Sequence, residues 1–235
     1  MIDLHCHILP GIDDGPAEIG QSIAMARIAA ADGITAIVAT PHVTEEVYPA
    51  EIITQKVQEL NRELSRLGIP VAVLQGADVN ALLDPDLLRG YTINGSDYLL
   101  LEFPYTHLPI NTRDILFAMS IKGYIPVITH PERNPSVINN PETLLQLVES
   151  TVLVQITAGS LAGEFGQDIR DCAVHLLKRG AVSFIATDAH STEWRPPVLS
   201  KGLRVAEEIV GKERAMRLVT AHPEAVLAGK LLHAA

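Results

Sequence analysis

Long hydrophobic runs are missing from this chain of 235 residues. None approaches the roughly 18 uninterrupted apolar residues of a membrane-spanning helix. Cysteine is scarce as well. The 2 cysteines, Cys6 and Cys172, lie far apart and cannot make a disulfide scaffold. Basic charge is short: Lys and Arg number 18 against 28 for Asp and Glu, a net charge of −10. A nucleic-acid-binding surface, which wants clustered Lys and Arg, is therefore disfavoured. The N-terminus, MIDLHCHILPG, lacks a basic segment followed by an apolar run. No signal peptide is expected, and the cytoplasm is the default compartment. Repeats, low-complexity tracts and linkers are absent too.

What is present is material for a core, with 47% of residues hydrophobic. A chain of this length can be one large domain or two small ones, and α/β barrels commonly reach it as one. A single domain over residues 1–235 is expected. Short apolar runs recur at Ile2–Leu4, Thr35–Ala39, Val71–Leu74, Tyr98–Leu101, Pro126–Ile128, Val152–Ile156 and Ser183–Ala186. They lack polar alternation, as parallel strands covered on both faces do. Helical spacing fills the gaps, at Ala17–Asp32, Pro49–Leu67, Asn111–Lys122, Pro141–Ser150 and Gln167–Arg179, with three further stretches beyond Lys201. Gly33, Gly68, Gly123 and Gly180 stand where helices stop. Strands alternating with helices predict parallel βαβ units, and seven strands favour a closed or nearly closed barrel.

The unusual polar residues fall at repeated places on this map. His5 and His7 follow the first strand, His42 the second and Asp78 the third. Glu102 and His130 end the fourth and fifth; Asp188 and His190 follow the seventh. Six of seven strands thus deliver a His, Asp or Glu at the C-terminal end, which carries the active site in β/α barrels. Two histidines at i and i+2 can chelate one ion. A mixed imidazole and carboxylate set fits zinc, manganese or iron, and a bridging carboxylate can hold two ions close together. Asp13 and Asp14 add acidic oxygens near the first pair. Taken singly, each residue has a plainer reading. Asp78 could cap a helix and Asp13-Asp14-Gly15 could be a turn. Their shared position argues for a metal cluster. His175, His222 and His233 lack that placement and read as structural or exposed. His107 lies in a loop on the active face, where contact with substrate and a purely structural role both stay open.

Asp3-Leu4-His5-Cys6-His7-Ile8-Leu9-Pro10-Gly11-Ile12-Asp13-Asp14-Gly15 resembles the opening motif of the polymerase and histidinol phosphatase (PHP) superfamily. More closely, it is similar to the bacterial manganese-dependent protein tyrosine phosphatases of capsule and exopolysaccharide loci. The likeness continues through Thr40-Pro41-His42, His130-Pro131-Glu132-Arg133, Gln155-Ile156-Thr157-Ala158-Gly159-Ser160-Leu161, Thr187-Asp188-Ala189-His190 and Arg195-Pro196-Pro197. The resemblance implies a distorted (β/α)7 TIM-like barrel holding three divalent ions, with manganese favoured and iron or zinc as alternatives. It places one ion on His5, His7, Asp188 and a shared Asp78. A second falls on Asp78, Glu102 and His130, and a third on Asp14, His42 and His190. One departure is visible: the bridging position is usually Glu, and here Gln75-Gly76-Ala77-Asp78-Val79 supplies Asp.

The expected chemistry is attack on phosphorus by water that a divalent ion has helped deprotonate. Arg133 and Arg195 are expected to neutralise the phosphoryl oxygens, with Asp14 also at the reacting centre. A cysteine mechanism with a C-x5-R loop is excluded, since Lys178 stands six residues after Cys172 and Ile12 six after Cys6. No G-x-x-x-x-G-K phosphate loop occurs. The expected substrate is a phosphotyrosine-bearing protein, a bacterial tyrosine kinase of polysaccharide export, which would be the chain's only link to a membrane. A homo-oligomer is possible. Two alternatives stay open: a small-molecule phosphatase such as a histidinol-phosphate phosphatase, and a catalytically weak metal-binding regulatory module. A nuclease is disfavoured by the acidic balance.

Overall fold

The computed structural model describes residues 1–44, 49–148 and 152–232. Among the described residues there are nine strands: β1 Ile2–Cys6, β2 Ala36–Ala39, β3 His42–Val43, β4 Ala72–Gln75, β5 Asp78–Asn80, β6 Tyr98–Glu102, β7 Ile125–Thr129, β8 Leu153–Thr157 and β9 Phe184–Ala186. Every pairing is parallel, in the orders β1-β2-β4 and β3-β5-β6-β7-β8-β9. The two sheets are one wall with two kinks. Thr40-Pro41 separates β2 from β3, where proline has no N–H to give to a ladder. Gly76-Ala77 separates β4 from β5. A Cβ at Gly76 would lie 2.6 Å from Val38 Cγ1, so only glycine lets β4 approach β2 here. Closure comes from beyond β9: Asp188 N–H donates to His5 O and His7 N–H to Ala189 O, both at 2.8 Å. Counting each kinked pair as one rung, the result is an α/β fold with the seven-rung, TIM-like barrel that the strand pattern predicts.

The helices are α1 Ile19–Ala31, α2 Ala50–Arg66, α3 Thr112–Ile121, α4 Pro135–Asn139, α5 Glu142–Leu145, α6 Ala158–Ala162, α7 Gln167–Lys178, α8 Ser200–Val210, α9 Lys212–Arg217 and α10 Ala221–Leu227. Four of the five helices expected before Lys201 match to within two residues. The fifth is shorter: α5 covers only Glu142–Leu145, and Glu149 and Ser150 lie outside the described residues. The turns at α4 and α6 carry too few residues to show helical periodicity. Gly202 brings α8 onto α6 so tightly that a Cβ there would lie 2.5 Å from Ala158 Cα.

Two apolar layers result. The outer one, between barrel wall and helices, includes Ile37, Leu99, Leu101, Ile128, Val154, Ile156 and Ile185. The inner one, including Ile2, Leu4, Val38, Leu100, Val127, Leu153 and Phe184, plugs the barrel. Strand side chains alternate between these faces with a period of two. No helix among the described residues is long and apolar enough to cross a membrane.

Candidate metal centre

The same alternation builds the site. One step of two residues above the inner plug, β6 passes from Leu100 to Glu102, β7 from Val127 to Thr129 and β8 from Leu153 to Gln155. Two such steps carry the second rung from Val38 to His42, the third from Leu74 to Asp78 and the last from Phe184 to Asp188. Strand β1 is the exception. Its pairing with β2 shifts register between Asp3 and Cys6. Leu4 packs in the inner layer and Cys6 in the outer one. The bulge therefore reverses the alternation and turns His5 and His7 over the plug, as bulges do when they re-aim a side chain.

All nine residues expected as ligands meet there. Four groups of potential ligand atoms lie within 4.8 Å of one another: His7, Asp14, His42 and His190; His5, His130 and Asp188; His5, His7 and Asp78; and His42, Asp78 and Glu102. Asp188 Oδ1 lies 3.3 Å from both His5 Nε2 and His7 Nε2. Asp78 Oδ2 is the hub. It stands 3.6 Å from His5 Nε2, 3.6 Å from His42 Nδ1 and 3.8 Å from His130 Nε2. Glu102 reaches His42 Nδ1 at 3.3 Å and His130 Nε2 at 3.6 Å. Asp14 reaches His190 Nε2 at 3.2 Å and His42 Nε2 at 3.7 Å.

The residues fit a set of cations on several counts. Asp78 Oδ2 and His190 Nε2 are buried with no hydrogen-bond partner. His5 Nε2 and His7 Nε2 face each other at 3.1 Å. Their outer nitrogens are engaged: His7 Nδ1–H donates to Asp13 Oδ2 at 2.7 Å and His5 Nδ1–H to Gln155 Oε1 at 2.8 Å. His190 Nδ1–H donates to the Asp188 carbonyl at 2.9 Å. Such outer partners fix the tautomer and aim the inner lone pairs at an ion. Five carboxylates (Asp13, Asp14, Asp78, Glu102 and Asp188) meet two guanidiniums (Arg133 and Arg195), so the centre is short of positive charge. Its titration reflects that shortage. Burial opposes a charge on His7, yet Asp13 and Asp188 outweigh it and push its pKa up to about 10. Burial pushes His5 down to about 4 and His190 to about 3. Burial favours the neutral form of Asp188 too, but His5 and Arg133 hold it well below the usual carboxylate range.

At the lip, Arg133 Nη2 donates to Asp188 Oδ2 at 2.5 Å and Arg195 Nη1 donates to the same oxygen at 2.9 Å. The Nε–H of each arginine is buried without a partner. Glu132, the neighbour of Arg133 in the chain, is fully buried, and its Oε1 accepts from Thr157 N–H at 2.9 Å and from Ser160 Oγ at 2.7 Å. His130, Asp188 and Arg195 adopt positive φ, of 33°, 51° and 57°. Non-glycine residues do so rarely, and such strain concentrates at functional sites.

Sequence reasoning missed the partners behind the ligands. Gln155, and Thr129, whose hydroxyl donates to Asp78 Oδ1 at 3.2 Å, carry no metal-ligand signature of their own. Asp13 was legible only as an acid beside Asp14. His107 is exposed, with Nδ1 against Thr106 Oγ1 at 2.9 Å, outside the cavity. His222 is structural, its Nδ1–H donating to Ser183 O at 2.9 Å. His175 sits half-buried in α7, away from the centre, and His233 lies outside the described residues. Both cysteines are buried and unpaired; burial pushes the Cys172 thiol up to about 12.

The chain is similar to known proteins over most of its length. A family model described as capsular polysaccharide synthesis, CpsB/CapC, matches residues 1–228. The chain is 39% identical over 219 residues to tyrosine-protein phosphatase YwqE of Bacillus subtilis (strain 168), covering 91% of this chain and 86% of the relative. It is 26% identical over 241 residues to tyrosine-protein phosphatase CpsB of Streptococcus agalactiae serotype III (strain NEM316), covering 97% and 98%. A crystal structure from work on YwqE of Bacillus subtilis and CpsB of Streptococcus pneumoniae, described as unique metal-dependent tyrosine phosphatases, superposes with a TM-score of 0.91. That match is 37% identical and covers 98% of this chain and 95% of that one. A β-aspartyl dipeptidase from Fervidobacterium islandicum AW-1 shares the fold alone, with a TM-score of 0.60 at 14% identity, over 99% of this chain and 76% of that one.

Proposed function

The chain belongs to the CpsB/CapC family of capsular polysaccharide synthesis, and from that premise we infer how its centre removes phosphate from protein phosphotyrosine. It is a metal-dependent phosphoric monoester hydrolase, a protein tyrosine phosphatase. The observation that carries the reading is the meeting of nine His, Asp and Glu side chains beneath two arginines whose Nε–H groups have no partner. We read the ions as three, with manganese favoured. His5, His7, Asp188 and Asp78 would hold one; Asp78, Glu102 and His130 a second; Asp14, His42 and His190 a third. Bound divalent ions would supply a water of lowered pKa and neutralise charge on the phosphoryl oxygens.

The chain's own residues do the rest. Arg133 and Arg195 present planar donors on one side of the centre, and guanidinium forks match phosphate oxygens bidentately. Both already bind a carboxylate oxygen of Asp188, so the phosphate arrives at donors that are in place. Asp14, the most exposed of the ligand set, stands at the lip beside His190, where it can orient the attacking water. The phenol leaving group needs little acid help, with a pKa of about 10. The cavity, of about 390 Å³, is lined by His42, Glu102, His130, Arg133, Asp188 and Arg195 among others, and it opens to solvent as a protein-borne side chain requires.

The substrate we favour is the tyrosine-phosphorylated segment of a kinase in polysaccharide export, met in the cytoplasm. The test is elemental analysis of the purified protein together with manganese-dependent phosphate release from a phosphotyrosine peptide and from histidinol phosphate. Release from the peptide is expected. Turnover of histidinol phosphate alone would mark a small-molecule phosphatase. A full metal complement with no turnover of either would mark a regulatory module, which the shorter Asp78 bridge would then explain.

A further inference from the structure

Aromatic side chains make up only 4% of the chain, yet Tyr105, Phe165 and Trp194 all line the cavity above the metal centre. Two of them are largely exposed, Tyr105 at 75% and Trp194 at 69%. They stand at opposite ends of the opening. Tyr105 borders a crevice shared with Glu102, His130 and Arg133, whereas Trp194 borders one shared with Asp14, His190 and Arg195. The ring of Phe165 lies 4.7 Å from Arg133 Cζ, and that of Trp194 lies 4.8 Å from Arg195 Cζ. Phe165 is wedged in place: a Cβ on Gly159 would come within 2.9 Å of its ring. Each phosphate-binding arginine therefore carries an aromatic ring on its flank.

We propose that Trp194 and Tyr105 form an aromatic rim that grips the ring of the substrate and makes the enzyme select aryl over alkyl phosphomonoesters. This deepens the tyrosine-phosphatase reading and rests on it. When the phosphate of phosphotyrosine reaches Arg133 and Arg195, its six-membered ring spans the height between guanidiniums and rim. There it can stack on Trp194 or meet the edge of Tyr105, burying apolar surface that is otherwise wet. Phosphoserine has a single methylene between ester oxygen and Cα. Its main chain would be drawn down to the level of the arginines, against the rim, and it offers no ring to stack. Selectivity in binding is then a property of the wall, and it adds to the advantage that the phenol leaving group gives an aryl ester at the metal centre.

The rim contains its own reporter, because Trp194 is the only tryptophan in the chain. Phenylphosphonate and methylphosphonate, which cannot be hydrolysed, should be titrated into the manganese-loaded enzyme with tryptophan emission as readout. Phenylphosphonate is expected to change the emission at saturation and to inhibit phosphotyrosine-peptide turnover about tenfold more tightly than methylphosphonate. In Trp194→Ala, and to a lesser degree in Tyr105→Ala, the ratio of the two inhibition constants should collapse towards unity, while Trp194→Phe should restore most of it. Equal weakening of both inhibitors in Trp194→Ala would overturn the proposal, because it would mean that the ring only seats Arg195. Tight phenylphosphonate inhibition with unchanged emission would overturn it as well. A wild-type enzyme that hydrolysed other phosphomonoesters but no phosphotyrosine would sink the parent reading and the rim with it. Active phosphotyrosine turnover with an unaltered ratio in both alanine variants would remove the rim alone.

Discussion

Replacing Gln155 by leucine should weaken metal binding while leaving the metal-free fold almost untouched. Gln155 is fully buried on β8, and its Oε1 accepts the Nδ1–H of His5 at 2.8 Å. Its own Nε2 has no partner. In the metal-free variant the His5 proton can move to Nε2, where Asp188 Oδ1 at 3.3 Å and Asp78 Oδ2 at 3.6 Å wait to accept it. The lost acceptor then costs little, and removing the orphaned amide nitrogen offsets part of that. In the loaded enzyme Nε2 must offer its lone pair to an ion. The proton is forced onto Nδ1, buried and unsatisfied, at about 1–3 kcal/mol. That corresponds to roughly 5- to 150-fold weaker binding of one ion, matching the 10- to 100-fold typical of lost outer partners. Titration of manganese into the chelator-treated variant measures the affinity, and thermal melts without metal measure the fold. Affinity within twofold of wild type would refute the tautomer argument. So would a metal-free melting temperature that fell as steeply as the affinity, since Gln155 would then serve the fold alone.

The two halves of the site should separate by mutation. His5→Ala is expected to lose metal and nearly all turnover, while Arg133→Ala keeps its metal and binds phosphate roughly 10- to 150-fold more weakly, the worth of a charged hydrogen bond; equal metal loss in both would contradict the division. Gly202→Ala forces a methyl group into Ala158 and should cost about 1–3 kcal/mol, seen as a melting temperature lower by about 2–4 °C per kcal/mol. Iodoacetamide at pH 8 should label neither cysteine of the native enzyme and should leave activity intact. Burial raises the Cys172 thiol to about 12, so the reactive thiolate stays scarce until pH nears that value. Rapid inactivation would reopen a cysteine mechanism.

The parallel strands and most of the helices were legible in the residues themselves. Unbroken runs such as Tyr98–Leu101 have no polar face to show to water, and Gly33, Gly68, Gly123 and Gly180 stop the helices they follow. Eight of the nine ligands were legible because each is a His, Asp or Glu at or just past the end of an apolar strand; Asp14, in the loop after β1, was legible as a ligand only through the family resemblance. Closure of the ring was favoured by the number of strands but not decided by it, since periodicity along one strand says nothing about whether the first strand meets the last. The contacts of His5 and His7 with Asp188 and Ala189 decide that. The bulge in β1 was equally hidden: two histidines at i and i+2 read the same whichever face they take, and only pairing with β2 turns them inward. Gln155, Glu132 and the aromatic rim depend on what lies opposite them, and a glutamine or a tryptophan has no chemical type that announces a partner. Local sequence thus determined which elements form and which side chains can bind a cation. Which of those side chains come together, which groups orient them and what walls the opening are long-range matters, settled by strands more than a hundred residues apart coming to lie side by side.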